Sequence, residues 1–583
     1  MAGVQITTTE GSPDAQMSIR VRGGGSITQS NEPLFIVDGF PVESISDIPP
    51  TDIESIDVLK DASSTAIYGA RGANGVIIVT TKSGKEGKVS VSYNAYYAWK
   101  KVAKTLDVLS ASDYTKWQYE LAQLTNKNDD YIKYFGNYQD LDMYDNVATN
   151  DWQDLTFGRT GHSFNHNLSI NGGSDKFKYS FSYSHIDDKA IMQMSDYARD
   201  NLNLKLNHKP LKNVSLDFSA RFSKTKINGG GSNDANSSLN TDKRLKYSLL
   251  YTPYPVPGIS DALNADEEDA NSLLINPLIS LRDNDTRKER INYNLAGSIT
   301  WEIIKDLKLK AEVGYDDYRN NADRYYGVTT YYVRNNVDDE DKSKPAISFT
   351  RGTRTAFRST NTLSYDFKKF FKNNKNHLNL LAGQEYIVTR ERELRNVVHG
   401  FPTEYTADDC INYSTKGNPY EVTNYGYPDD VLFSFFGRAN YDFDSKYLFS
   451  ATFRADGSSK FAKGNQWGFF PSAAVAWRIS SESFMENTKN WLDDLKLRFS
   501  YGTAGNNNIP SGQISQLYEL NKTPWINGVN SYIAPSKYMA NSDLTWETTI
   551  TRNVGLDFTT LGGRLSGTIE GYWNNTKDLL IMF

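Results

Sequence analysis

A chain of 583 residues with a formal net charge of -6 and a pI near 5.7 lacks the basic surface that general nucleic-acid binding requires. It holds 37 Tyr, 28 Phe and 10 Trp at a mean hydropathy of -0.58, so it is aromatic-rich yet hydrophilic on average. A helical membrane protein needs runs of about 20 apolar residues, and the longest here, such as Val-Ile-Ile-Val at 76–79, are far shorter.

A transmembrane β-barrel reconciles these features, because each strand shows lipid an apolar face and the lumen a polar one. The single cysteine, Cys410, has no internal disulfide partner. The first residues carry no apolar core of the kind a secretory signal needs. The expectation is that a preceding segment exists elsewhere.

In chain order, residues 1–84 read as a small mixed α/β unit. Ser-Ile-Arg-Val-Arg before Gly23-Gly24-Gly25 predicts a short strand, and 34–37 a second one closed by a tight turn at Asp38-Gly39. Residues 53–59 are strand-like. Asp61 is a good N-cap for a helical turn or two over 62–68. Gly69, Gly72 and Gly75 then break the helix and lead into a buried strand over 76–80. A phosphate-binding loop would run strand, glycine loop, helix; here the glycines precede a strand and no Gly-Lys-Ser/Thr follows.

From residue 88 the pattern changes to alternation. Val89, Val91, Tyr93, Ala95, Tyr97 and Trp99 share one face of a strand, and Ser90, Ser92 and Asn94 the other. Over 163–186, Phe164, His166, Leu168 and Ile170 face one way and so do Phe177, Tyr179, Phe181 and Tyr183. A two-residue loop at Gly173-Ser174 would place Ile170 opposite Phe177, Leu168 opposite Tyr179 and His162 opposite His185.

Similar alternation recurs at 202–206, 214–222, 291–301, 307–315, 357–365, 378–386, 431–443, 447–453, 473–479, 495–501, 550–558 and 565–573. This gives about fifteen strands, uncertain by about two. Between them, tight or short connections alternate with medium or long ones such as 101–161, 223–290 and 387–430. Outer-membrane barrels sort short periplasmic turns from long extracellular loops in this way. By that parity Trp99 sits at the outer rim, and Trp301 and Trp477 at the periplasmic rim.

Three stretches also carry a family resemblance. Asn31–Val42 followed by Ile48–Gly84, which includes IESIDVLKDASSTAIYGARGANGVIIVTTKSG, is similar to the plug signature of the SusC/RagA family of TonB-dependent outer-membrane transporters. SFFGRANYDFDSKYLFSATFRADGSSKFAKGNQWGFFPSAAVAWRIS at 434–480 and YWNNTKDLLI at 572–581 resemble that family's barrel. The expected fold is therefore mainly β: an antiparallel transmembrane β-barrel over 88–583, incomplete, behind an N-terminally truncated plug domain over 1–84. The resemblance implies a barrel of roughly 22 strands. About seven are then expected beyond this chain, since an odd strand count leaves lipid-exposed edges.

What the resemblance implies about function is active import of a bulky nutrient, an oligosaccharide or peptide, across an outer membrane. The implied partners are the TonB energising complex, a SusD-like surface lipoprotein acting as lid, and outer-membrane lipid. The alternatives are a siderophore or vitamin receptor of the same superfamily, and a surface adhesin. No enzyme constellation, cofactor site or metal site is expected, and no substrate-binding residue is assigned. Among loop aromatics, Tyr251, Tyr254 and Tyr331 are examples that would suit stacking on sugar rings. His162 and His166 have a spacing that suits a metal on a helix, but they lie on a strand. The acidic runs 266–272 and 337–343 read as solvated loop faces.

Overall fold

A computed structural model describes residues 3–8, 14, 17–24, 30–61, 65–229, 244–260, 275–335, 340–367, 371, 375–516, 518–521, 532–535 and 539–581. The N-terminal unit holds β1 (Val4–Thr8) paired with β2 (Met17–Val21), and a four-stranded sheet. That sheet has the order β4-β3-β6-β5, from β3 (Leu34–Val37), β4 (Phe40–Val42), β5 (Ile53–Leu59) and β6 (Val76–Thr81). β3 and β6 run parallel and the other pairs antiparallel. Phe35, Val37, Ile77 and Val79 form its core with Ile19 of β2.

The Asp38-Gly39 turn has both residues at positive φ, 52° and 87°, as a type I′ hairpin demands. Thr65 N donates to Asp61 O at 2.9 Å, as a helical turn begun at Asp61 requires. A 3-10 helix runs Ala66–Arg71 behind Thr65, and 62–64 lie outside the described residues. The Asp61 carboxylate reaches across to Arg22 and Asn553.

Around this unit stands a 16-stranded antiparallel sheet. In chain order the strands are β7 (Gly87–Lys100), β8 (Gly161–Gly173), β9 (Phe177–Lys189), β10 (Asp196–Leu211), β11 (Val214–Asn228), β12 (Thr286–Ile304) and β13 (Leu307–Tyr326). They continue as β14 (Ala346–Asp366), β15 (Asn376–His399), β16 (Asn418–Gly426), β17 (Asp430–Phe443), β18 (Tyr447–Ser458), β19 (Trp467–Arg478) and β20 (Leu492–Asn506). β21 (Tyr518–Asn521) and β22 (Tyr532–Pro535) make a separate hairpin, and β23 (Glu547–Thr560) and β24 (Leu565–Lys577) complete the wall. β16 branches from β15, so the wall path from β7 to β24 has fifteen strands, each at an expected place.

The alternation has its physical meaning here. Phe218, Leu295, Val313, Phe357, Phe435, Phe453, Val475 and Phe499 point outward and are exposed. Ser163, Asn167, Ser182, Asn203, Asn294, Ser434 and Thr452 are polar and buried on the inner side. Trp301 and Trp477 lie beside the short turns, opposite Leu309 and Tyr447, whereas Trp99 lies at the other end opposite His162.

Two expectations need correction. The β8–β9 turn is longer: Ser174 N donates to Phe177 O, and Ile170 faces Phe181 while Leu168 faces Tyr183. His185 therefore sits opposite His166, and His162 opposite Lys189. An even register shift keeps every side chain on its face, so alternation alone could not detect it. The strands are also longer than the alternation marks, with 24 residues in β15 and 21 in β14. Outward apolarity is needed only where lipid is touched, so the pattern fades where strands continue past the membrane.

The long connections fold on themselves. α1 (Ala111–Thr125), α2 (Asn128–Phe135) and α3 (Trp152–Phe157) follow β7, with Ser110 capping α1 by accepting from Asp113 N. α4 (Arg244–Leu250) and α5 (Pro277–Asp283) follow β11; α6 (Tyr331–Asn335) follows β13, and α7 (Ala407–Asn412) follows β15. No helix among the described residues is long and apolar enough to cross a membrane, which says nothing of a β-barrel.

Candidate functional site

The N-terminal unit sits inside the wall, and charged side chains at inward-facing strand positions hold it there. Burial makes these contacts consequential. A paired charge that loses its partner inside a protein costs about 3–5 kcal/mol.

The deepest group is built by β14, β15 and β18. Glu385 accepts from Arg454 at 2.7 Å and from Arg358 at 2.7 Å, one carboxylate oxygen each. Arg454 is 1% exposed and also pairs with the fully buried Asp456 at 2.7 Å. Each arginine then donates to a backbone carbonyl of the N-terminal unit, Arg454 to Ile67 O and Arg358 to Gly39 O. Gly69, at φ +63°, lets the 3-10 helix approach so closely that any Cβ there would overlap Arg454.

A second group joins the unit to the last strands. Arg22 pairs with Asp61 at 2.8 Å and Glu570 at 2.7 Å. Arg498 bridges Glu570 and Asp557, each at 2.8 Å, and Asn553 Nδ2 donates to Asp61 at 2.8 Å. A third group lies on β9–β10. Lys205 Nζ donates to Asp38 and to Thr81 O, both at 2.7 Å, and Thr81 returns its own N–H and O–H to Asp38. Asp52 accepts from Ser182 at 2.7 Å, and burial pushes its carboxyl above the usual range against that bond.

On the long-loop side of the unit lies a cavity of ≈ 330 Å³. Glu32, Glu43, Glu391 and Asp430 line it against Arg354 and Lys460, with Asn74, Asn506, Asn507 and Asn508 between. Arg354 pairs with Glu43 at 2.7 Å, so the unit's own residue and the wall meet at the cavity floor. This surface can hold a hydrogen-bonding ligand but offers no aromatic platform among its lining residues.

Of the three loop tyrosines named above, one is buried, one is half-buried and one has no described side chain. Tyr254 is 7% exposed, packed on Tyr114 and Tyr144 with its hydroxyl 2.6 Å from Thr115 Oγ1. Tyr251 donates to Ser260 O at 2.6 Å and meets Trp152 edge-on. Tyr331 begins α6, and its side chain lies outside the described residues. His162 and His166 hydrogen-bond Tyr97 and Tyr93. Residues 266–272 lie outside the described residues. In the other acidic run Asp341 is not solvated: it is buried and accepts from Asn418 and Lys344.

Sequence reasoning missed the inward charges altogether. The available signal was a charge at an inward position in the middle of an alternating strand, as in Phe453-Arg454-Ala455-Asp456 or Gln384-Glu385-Tyr386.

Comparison with known proteins follows the same division. The family model described as "TonB dependent receptor-like, beta-barrel" matches residues 230–582, and the "TonB-dependent Receptor Plug Domain" model matches 1–76. TonB-dependent receptor SusC of Bacteroides thetaiotaomicron is 32% identical, over 100% of this chain and 57% of its own length. TonB-dependent receptor P3 of Formosa agariphila is 31% identical, over 99% of this chain and 54% of its own. The chain thus spans little more than half the length of these relatives. Among solved structures, the RagAB peptide transporter superposes with a TM-score of 0.81 at 24% identity, covering 100% of this chain and 65% of that one. The ferric citrate transporter FecA gives 0.57 at 11%, covering 98% and 66%. With the barrel model matched over more than half its residues and the plug model ahead of it, the chain belongs to the TonB-dependent receptor family.

Proposed function

We propose that this chain is the plug, over 1–84, and part of the barrel, over 88–583, of an outer-membrane importer that takes up a bulky nutrient by TonB-dependent active transport. The observation that carries this reading is the way the plug fills the wall. Arg454 and Arg358 of the wall donate to plug carbonyls, and the Arg22–Glu570 and Lys205–Asp38 ion pairs cross the same seam. A lumen blocked in this way does not pass a large solute by diffusion. Work must displace the plug, and the outer membrane holds no ATP, so the work comes from outside the barrel.

The long-loop end faces the medium and the short-turn end the periplasm. The likeness to SusC and to the fold of the RagAB peptide transporter supports an oligosaccharide or peptide as cargo and a SusD-like lipoprotein as lid. The ≈ 330 Å³ cavity on the plug's outer face is the place for first contact with cargo.

The test uses the full-length gene. Its deletion is expected to abolish growth on one class of oligosaccharide or peptide, and loss of TonB is expected to do the same. Binding that persists without uptake, unchanged by loss of TonB, favours an adhesin and overturns the proposal.

A further inference from the structure

Three cavities surround β4 and the strands beside it, the outer one against β14, β15, β17 and β20 and joined to the next at Val42, the other two against β10, β11 and β12. The outer one, of ≈ 330 Å³, is floored by Val42, Glu43 and Arg354. A narrow middle one, of ≈ 40 Å³, is also lined by Val42 and continues over Asp52 and Thr81 against Asn203, Arg221 and Asn294. The inner one, of ≈ 480 Å³, lies between Asp38 and Gly84 of the plug and Lys205, Ser219 and Ser298 of the wall. Middle and inner cavities are consecutive along β10, β11 and β12, since Asn203, Arg221 and Asn294 are in register, two to four residues from Lys205, Ser219 and Ser298. One knot separates them, the Lys205 ammonium on Asp38 and Thr81 O.

What covers this side is the weakest part of the plug. β4 is the edge strand of its sheet and pairs with β3 over three residues. Residues 43–49 behind it form no helix or strand and are held to the wall by Arg199 at Ser46 O and by Arg354 at the exposed Glu43 carboxylate. The opposite side differs. There an inner cavity of ≈ 540 Å³ is separated from the outer one by the Arg454–Glu385–Asp456 group and by the 3-10 helix, which Gly69 seats directly on Arg454. Opening that side breaks the Arg22–Glu570 and Asp61–Arg498 pairs and pulls Ile67 O off Arg454, and each orphaned charge is costly. Opening the β10–β12 side lifts a three-residue edge strand and one irregular segment, frees the exposed Glu43 from an Arg354 that keeps Asp316 and Glu391, and breaks Lys205–Asp38.

Resting on the importer reading, we infer that cargo passes the plug along β10, β11 and β12, beneath β4 and residues 43–49, and that Lys205–Asp38 is the latch at its inner end. With Asn201, Asn203, Ser223, Asn292 and Asn294 on its wall side, the path suits an extended chain rich in amides or hydroxyls.

The test is electrical and needs neither cargo nor TonB, so it can fail while the importer reading stands. Full-length protein is placed in planar bilayers and potassium chloride current is recorded while urea loosens the plug. Lys205→Met is expected to conduct at lower urea than the wild type. Two cysteine pairs are then closed with a short bis-maleimide. Asp38→Cys with Lys205→Cys tethers the plug at the proposed path, and Asp61→Cys with Asn553→Cys tethers it on the far side. Before cross-linking both pairs must give a urea-dependent current, the 38/205 pair at the lower urea expected of Lys205→Met, which reports intact folding. Cross-linking at 38/205 is expected to abolish the urea-dependent current, and cross-linking at 61/553 to leave it. Current lost with both tethers means that the plug leaves as one body; current lost with neither, or only at 61/553, places the opening elsewhere. Each of these overturns the proposal.

Discussion

Glu385 shows how one residue can hold two elements in place. It is 7% exposed and tolerates burial because two arginines share its charge, each also bound to a plug carbonyl. Arg454→Met leaves Glu385 with Arg358 alone and Asp456 without this cation. It is expected to weaken plug seating by about 3–5 kcal/mol, read as a lower denaturant midpoint for plug release with the wall still folded. Asp52 works in the other sense. Its carboxyl is pushed up by burial, so the folded state carries a penalty at neutral pH that disappears as pH falls through the raised value. Asp52→Asn is expected to raise the release midpoint at pH 7 and to lose that advantage in acid, where the wild-type side chain is itself neutral. Cys410 is fully buried among Tyr325, Ile347, Val398 and Phe401, and burial pushes its thiol up to about 12. A thiol reagent at neutral pH is expected to label it only after unfolding, a difference mass spectrometry reads directly.

At the scale of elements, each wall strand separates two environments by side-chain parity. Phe499 of β20 is 45% exposed and flanked by Val475 and Val554, whereas its neighbours Arg498 and Ser500 are half-buried on the inner side. Phe499→Arg is expected to destabilise the barrel by about 2–4 kcal/mol, measured by urea unfolding from vesicles, while Ser500→Arg should cost much less. The plug hairpin makes a similar local demand. With φ of 87°, Gly39 meets the I′ geometry freely, and an added Cβ would stand 3.3 Å from Glu312 Oε1. Gly39→Val is therefore expected to loosen the β3–β4 hairpin, seen as faster proteolysis within residues 38–49.

For the whole molecule, what could be read in advance divides by sequence range. Strand positions, faces and the sorting of connections were legible because they follow from a period of two and from lipid on one side only. The Asp38-Gly39 turn was legible because backbone sterics confine it to few residue types. The β8–β9 register was not, since a shift that preserves parity leaves the pattern unchanged. Nor were the plug–wall contacts, whose partners lie 387 residues apart for Arg454 and Ile67 and 548 for Arg22 and Glu570. No local pattern encodes such a pairing. The sequence by itself determined a wall of alternating strands behind a small α/β unit, because those features are local and each residue's solvent decides them. Only the tertiary structure decided which inward charges meet, where the plug is clamped and where it is merely latched. Those depend on distances that closing the wall around the plug brings about.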